Sequence, residues 1–513
     1  MTVPSTSRRP VGEHHLGRLA EASFERRGDY PSLLFDGRWH RSGELFERSL
    51  RLAAGFTDLG VRPGDRVVVT MANCPEVGIA YQALWRAGAV VTPATFLLPA
   101  AELRHVIADS EAGVVISTPE FIPKVREAIA GLGTVRHVIC TEDGDDVLAL
   151  AAVEQAEPEP IVARADDDLA ALLYTGGTTG RAKGVMLSHA NLHFTGRASH
   201  QSAYVPGVNR GLTSLPLSHA YGLLVTLAGL NHPEQTVGVL LRWFDTDAFL
   251  AMIAEHRLQQ SAVVPTMLQL LLSKPLEEHD LSSLRYLTSG GAPLPPEVQA
   301  ELSRRLPAVS IRQGYGMTET AALISASPVN HAKPGSVGRP VPGTDLEIRA
   351  EDGRPLPAGE IGEICCRSPG VMRGYWRAPE TTAEALAGGW MHTGDVGYVD
   401  DEGYLFIVDR KKDLIIRGGF NVYPRDVEDA LVRHPAVQMA GVVGRSSDRH
   451  GEEVVAFVSL APQANATAEE LIQWAREHIG GYKYPRELHL VDAVPLTPVG
   501  KIDRKALRSR LAS

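Results

Sequence analysis

Cysteine is scarce. The 513 residues hold four, at positions 74, 140, 365 and 366, and their spacing gives neither a disulfide framework nor a CxxC zinc knuckle. Reduced thiols acting as small buried hydrophobes are expected. Positive charge is not in excess either: 51 Lys and Arg stand against 61 Asp and Glu, a formal net charge of −10. That balance argues against a nucleic-acid footprint, so any anion-binding cations must be placed locally. No apolar run is long enough to span a bilayer. The opening MTVPSTSRRPVGEHH has two arginines but no apolar segment behind them, unlike a secretory signal, and a cytoplasmic protein is expected. Oligomeric state is left open.

What is present is an α/β texture. Runs at Arg66–Met71, Gly88–Thr92, Gly113–Ser117 and Val138–Cys140 are short, apolar and β-branched, as buried strands are. Between them, 42–59 and 76–87 carry apolar residues at helical spacing. Such alternation predicts largely parallel sheets with helices on their faces. From about Gly343 the pattern changes to short strands with turns roughly every ten residues, predicting a β-rich subdomain over 343–408. The charge run Asp409-Arg410-Lys411-Lys412-Asp413 marks a second boundary. The expected organisation is therefore a large N-terminal domain, 1–408, with two α/β layers of sheets and the β-rich subdomain. A hinge at 409–412 and a small mobile α+β domain at 413–513 follow.

One loop carries chemistry by itself. The strand-like Ala170–Leu173 runs into Tyr174-Thr175-Gly176-Gly177-Thr178-Thr179-Gly180-Arg181-Ala182-Lys183-Gly184. Glycines let consecutive N–H groups turn outward as an anion nest, threonines add hydroxyls, and Lys183 adds a point charge for a polyphosphate. It is not a P-loop, because the lysine stands three residues beyond the last loop glycine.

This loop resembles the YTSGTTGxPKG signature of the adenylate-forming superfamily of acyl- and aryl-CoA synthetases, peptide-synthetase adenylation domains and luciferases. It departs at Gly177, for Ser, and at Ala182, for Pro. Further segments similar to that family follow in order: Ser289-Gly290-Gly291-Ala292-Pro293-Leu294, Gln313-Gly314-Tyr315-Gly316-Met317-Thr318-Glu319, Thr393-Gly394-Asp395, Asp409-Arg410, and Pro495 to Leu507 around Lys501. A bare TGD is a common turn. The ordered set across 170–507 is not, and the N-terminal part looks like the family too.

The resemblance implies an acid–CoA ligase using ATP, Mg2+ and coenzyme A. Nucleotide binding falls on Thr175, Gly176, Gly177, Thr178, Thr179, Gly180, Lys183, Gly291, Ala292, Pro293, Gln313, Gly314, Tyr315, Gly316, Met317, Asp395, Ile407 and Arg410. Thr318 reaches the α-phosphate, Glu319 with Thr175 holds Mg2+, and Lys501 bridges the reacting groups. Lys412 is the hinge position, and Gly418, Gly419 and Phe420 flank the pantetheine arm. His219, Ala220, Tyr221 and Gly222 resemble the substrate segment, with Gly290 and Gly291 opposite and His219 as a gate. Amino-acid-activating relatives place Asp where Ala220 stands, so an apolar fatty or aryl acid is expected. A separate acyl carrier protein, or another nucleophile, stays open as the acceptor. The stretch Asn231–Thr236, where relatives carry a small-residue turn, has no assigned role and is expected to be a surface loop.

Overall fold

The computed structural model describes residues 10–175, 181–447, 449–497 and 501–511. The runs read as strands are strands: Arg66–Thr70, Val90–Pro93, Val114–Ser117 and His137–Cys140 lie parallel to their neighbours in one eight-stranded sheet. Val67, Val68 and Val69 are fully buried. Both faces of this sheet are covered, which is why the run is continuously apolar rather than alternating. The helix Pro75–Arg86 begins with Pro in its first turn, where a missing N–H costs nothing, and ends on Arg86. Val77, Ile79, Ala80, Tyr81, Ala83, Leu84 and Trp85 bury it on nearly every side.

A second sheet of nine strands runs parallel from Tyr286–Ser289 and Ser310–Tyr315 through Gln260–Val263 and Arg210–Thr213 to Val237–Leu240. The helices His189–Ala203 and Ala220–Leu230 pack against each other between the sheets. Ser188 and Asn191 form a reciprocal capping box on the first. His219 caps the second, whose sequence AYGLLVTLAGL is apolar all round.

Four antiparallel strands, Asp345–Arg349, Gly362–Arg367, Met391–Val399 and Leu405–Arg410, make a third sheet in the region expected to be β-rich. One piece of that region behaves differently. Gly374–Tyr375 leaves it and pairs with Lys183–Ser188 on the edge of the eight-stranded sheet. Beyond Lys411 a further sheet, built on Val437–Ser447 and Gly451–Leu460, carries its own core of Val427, Leu431, Val442, Val454, Val458 and Leu471. No helix among the described residues is long and apolar enough to cross a membrane.

Candidate active site

Several of the residues singled out from the sequence lie at the carboxyl ends of parallel strands, where ligands of open α/β sheets bind. Ser310–Tyr315 delivers Tyr315 to the end of its strand, where the phenol donates to Asp395 Oδ2 at 2.7 Å. Asp395 sits on the neighbouring sheet beside Arg410, its register partner, whose Nε lies 3.3 Å from Oδ1. Asp395 is thus held between a phenol and a guanidinium, and burial with its charge raises the Tyr315 phenol far above the usual range. Backbone turns fix the carboxylate as well: the Asp395 N–H donates to Thr393 Oγ1 at 3.1 Å, and the Thr393 hydroxyl donates to Ile364 O at 2.7 Å.

Glu319 lies in the short turn Thr318–Thr320 and is buried. Its Oε1 accepts from the Tyr375 phenol at 2.8 Å. Burial pushes its pKa up, the Tyr375 bond pulls it down, and the carboxylate of Asp395 adds to the rise. A buried carboxylate short of positive charge is a natural ligand for a hard cation, which takes oxygen donors and keeps several waters. Glu319 therefore fits Mg2+. Tyr375 was not foreseen. It stands on the two-residue strand that crosses to Lys183–Ser188, and the Lys183 ammonium rests 5.3 Å above its ring centroid. A single tyrosine in a loop-like stretch has no sequence pattern that marks it.

Thr175 and Lys183 face each other as register partners across a hairpin. Gly176, Gly177, Thr178, Thr179 and Gly180 lie outside the described residues. Glu363 is a second unforeseen neighbour. It accepts from the Gly394 N–H at 3.3 Å and from Lys411 Nζ at 3.2 Å, tying the Thr393-Gly394-Asp395 turn to the segment that leaves the sheet.

Lys501 is partly buried, its carbonyl and N–H both bonded to Thr497. Its ammonium lies within electrostatic reach of Arg410, Asp395, Glu319 and Lys412. Burial first, then Arg410, lowers its pKa from 10.5 to about 8 against the pull of the two carboxylates. His219 feels the same charge: burial, then Lys501, lowers it to about 4. A neutral ring follows at ordinary pH. Its Nδ1 accepts from the Tyr221 N–H at 3.2 Å, leaving the proton on Nε2.

The remaining sequence-selected residues divide. Gly290 packs on Tyr221, where an added Cβ would stand 3.1 Å from the ring, and Gly291 needs its positive φ of 79°. Ala292 and Pro293 continue that exposed turn. Ala220 is buried at the start of its helix, and a Cβ on Gly222 would come within 2.2 Å of Pro216 O. Gly316 has the same packing constraint, 2.4 Å from the Ala322 backbone, while Gly314 and Met317 flank Tyr315. Gln313 is buried with its amide toward Gln299 at 3.4 Å. The Ile407 carbonyl accepts from Arg425 Nη1 at 2.9 Å, and Lys412 is exposed. Gly418 and Gly419, both at positive φ, turn the hairpin whose Phe420 is 59 % exposed against Tyr482. Among the described residues, no hydrogen bond or ion pair joins that hairpin to Asp395, Glu319 or Lys501. The 231–236 stretch is more packed than expected: His232 is buried, edge-on to His200 and Tyr204, and Glu234 accepts from the Tyr204 hydroxyl at 2.9 Å.

The chain is similar along most of its length to known proteins. The family model for "AMP-binding enzyme" matches residues 20–376, and that for "AMP-binding enzyme C-terminal domain" matches 426–501. Feruloyl-CoA synthase of Amycolatopsis sp is 39 % identical over 470 residues, covering 91 % of this chain and 93 % of that protein. Long-chain-fatty-acid–CoA ligase of Bacillus subtilis (strain 168) is 35 % identical, over 97 % and 95 %. Amide bond synthetase McbA from Marinactinospora thermotolerans superposes with a TM-score of 0.87 at 32 % identity, covering 96 % of this chain and 99 % of that one. The anthranilate CoA ligase AuaEII, solved with anthranoyl-AMP, gives 0.88 at 26 % identity, over 97 % and 98 %. With a family model spanning well over half its length and relatives aligned from end to end, the chain belongs to the AMP-binding, adenylate-forming enzymes.

Proposed function

We propose that this enzyme is an acid–CoA ligase that activates an apolar fatty or aryl acid as its acyl-adenylate and then forms the thioester with coenzyme A. One observation carries the reading: Lys501, from the C-terminal part of the chain, is partly buried where it feels the charges of Arg410, Asp395 and Glu319. That is the orientation in which a carboxylate and a triphosphate, which repel each other, can be brought together. The cationic Lys501, with Arg410 and Lys183 nearby, offsets their charge where they meet.

The carboxylate oxygen attacks the α-phosphorus, a P–O bond forms, and pyrophosphate leaves with the electrons of the bond that breaks. Lys501 stays protonated throughout as an electrostatic bridge. Asp395 offers two acceptor oxygens, matching a vicinal diol such as ribose. Glu319, with Thr175, would hold Mg2+, which when bound would neutralise charge on the phosphates. In the second step the thiol sulfur attacks the acyl carbonyl and AMP departs, its phosphate taking the bonding electrons, while the thiol proton goes to solvent. Lys501 would obstruct that approach. A turn about Lys412 would withdraw it and bring the Gly418-Gly419-Phe420 hairpin in. In the present orientation the N–H of Arg425 donates to Asp409 Oδ2 at 2.8 Å, so this contact and the Arg425–Ile407 bond must break.

The acid is read as apolar because Ala220, Gly290 and Gly291 offer neither charge nor side-chain hydrogen bond to an α-ammonium. The relatives, which include feruloyl and long-chain-fatty-acid ligases, support that breadth. A second reading, transfer of the acyl group to an amine, is favoured by the likeness to an amide bond synthetase. Transfer to a separate carrier protein uses the same thiol chemistry. The division of labour is tested with Lys501→Ala. The variant should lose acid-dependent pyrophosphate release by at least about 100-fold, the cost of one aimed charge donor. It should still convert supplied acyl-adenylate and CoA to thioester. Equal loss in both halves contradicts the assignment.

A further inference from the structure

Arg312 is a buried cation that nothing in the reaction above uses. It sits mid-strand in Ser310–Tyr315, 3 % exposed. Among the described residues no carboxylate pairs with it. Its Nη2 donates to the carbonyls of Ser202 at 2.7 Å and Ser327 at 3.2 Å, and its guanidinium carbon lies 5.4 Å from the Tyr286 ring centroid. Nε has no protein partner. A guanidinium so buried, with neutral acceptors only and its Nε unmet, is costly to keep unless it serves something.

Its position says what. Arg312 is the register partner of Thr288, and the Thr288 carbonyl accepts from the Tyr221 phenol at 2.9 Å. Side chains two apart on a strand share a face, so Arg312 lies on the same face as Gly314 and one strand over from Gly290. Ile311 and Leu287 point to the opposite side, into the core beneath Leu268 and Leu302. The phenolic end of Tyr221 therefore stands against Gly290 and bonds at the level of Arg312. An acyl group entering between His219 and Gly290 with its carboxylate toward Lys501 would point its far end past that phenol toward the level of Arg312. Two residues of strand, about 6.7 Å, separate Gly314 from Arg312. This is on the scale of one aromatic ring with a substituent.

We propose that Arg312 is a specificity-determining residue, whose guanidinium recognises a hydrogen-bond acceptor at the end of the acid remote from the reacting carboxylate. The inference deepens the ligase reading and rests on it. Two kinds of acid share that chemistry, a ring-hydroxylated aryl acid and a dicarboxylic acid. A plain fatty or unsubstituted aryl acid would leave the buried cation unmet. A site built to bond a polar group discriminates strongly against the analogue that lacks it.

The test compares kcat/KM for matched pairs in the presence of ATP, Mg2+ and CoA: cinnamate against 4-hydroxycinnamate, and octanoate against octanedioate. Wild type should favour the acceptor-bearing member of one pair by about 100-fold or more, and which pair it is names the source. Arg312→Met should bring that ratio below about tenfold while leaving the unsubstituted acid within about threefold. Arg312→Lys, which keeps the charge, should retain part of the preference. If Arg312→Met lowers both members alike, the residue only holds the Ser202 and Ser327 carbonyls and the proposal is overturned. Flat ratios in wild type overturn it without any variant, so a variant that fails to fold does not protect it. If none of the four acids yields a thioester, the ligase reading falls first and this inference with it.

Discussion

Raising the pH should switch off adenylate formation through Lys501. Its pKa is about 8 rather than 10.5, because partial burial and the charge of Arg410 outweigh Asp395 and Glu319. The difference is worth roughly 3 kcal/mol in favour of the neutral amine at ~1.4 kcal/mol per unit. The sign is definite: the ammonium is present below about 8 and lost above it. For the first half-reaction, measured as acid-dependent pyrophosphate exchange, kcat/KM for ATP should be flat up to roughly pH 7.5. It should then fall about tenfold per unit beyond pH 8. Bound ATP adds negative charge and raises the lysine's pKa, so the same limb in kcat should move to higher pH. Thioester formation from supplied acyl-adenylate should show no such fall. Lys501→Arg keeps a cation throughout the usable pH range, so whatever activity it retains should lose the alkaline limb. An unchanged limb in Lys501→Arg, or the same limb in both half-reactions, refutes the reasoning.

Three further outcomes follow from particular contacts. Tyr375→Phe removes the 2.8 Å bond to Glu319, so the carboxylate's pKa should rise further and the Mg2+ concentration for half-maximal activity should increase several-fold. Gly316→Ala places a Cβ 2.4 Å from the Ala322 backbone, and unfolding in urea should show a loss of about 1–3 kcal/mol. Acid should destabilise the fold through His15 and His189, buried rings stacked at 4.3 Å. Burial first, then neighbouring Arg164 and, for His189, His15, lowers both, His15 to about 4, with only Asp166 and a backbone bond opposing at His15. Depressed histidines contribute stability above the ordinary 6.5 that is lost as pH falls toward 4. Denaturation midpoints across that window should drop in wild type and drop less in His189→Asn.

Much of the architecture was legible because each layer leaves its own period. Arg66–Thr70 reads as a strand since both its faces are covered, and Pro75–Arg86 reads as a helix since its apolar positions recur every turn. The departure of Gly374–Tyr375 to another sheet was not legible, because a two-residue strand has no period and its partner lies nearly 190 residues earlier. Tyr375 and Glu363 were missed for the same reason: each acts on a neighbour brought close only by the tertiary fold. The 231–236 stretch is a loop as expected, but the burial of His232 within it was not legible, because it depends on His200 and Tyr204 about 30 residues earlier. Arg312 stood one residue before the Gln313–Glu319 segment and carried no pattern of its own. Only its burial without a carboxylate separates it from an ordinary arginine.

The account's central claim is that one site makes an acyl-adenylate and delivers it to coenzyme A. The most direct measurement follows pyrophosphate release with ATP, Mg2+ and a panel of fatty, cinnamic and benzoic acids, each with and without CoA, with products identified by mass. The account predicts multiple turnovers with CoA, an acyl-CoA product, and about one equivalent of pyrophosphate without it. Release that stalls near one turnover whether or not CoA is present would contradict it, and would assign the adenylate to a different acceptor.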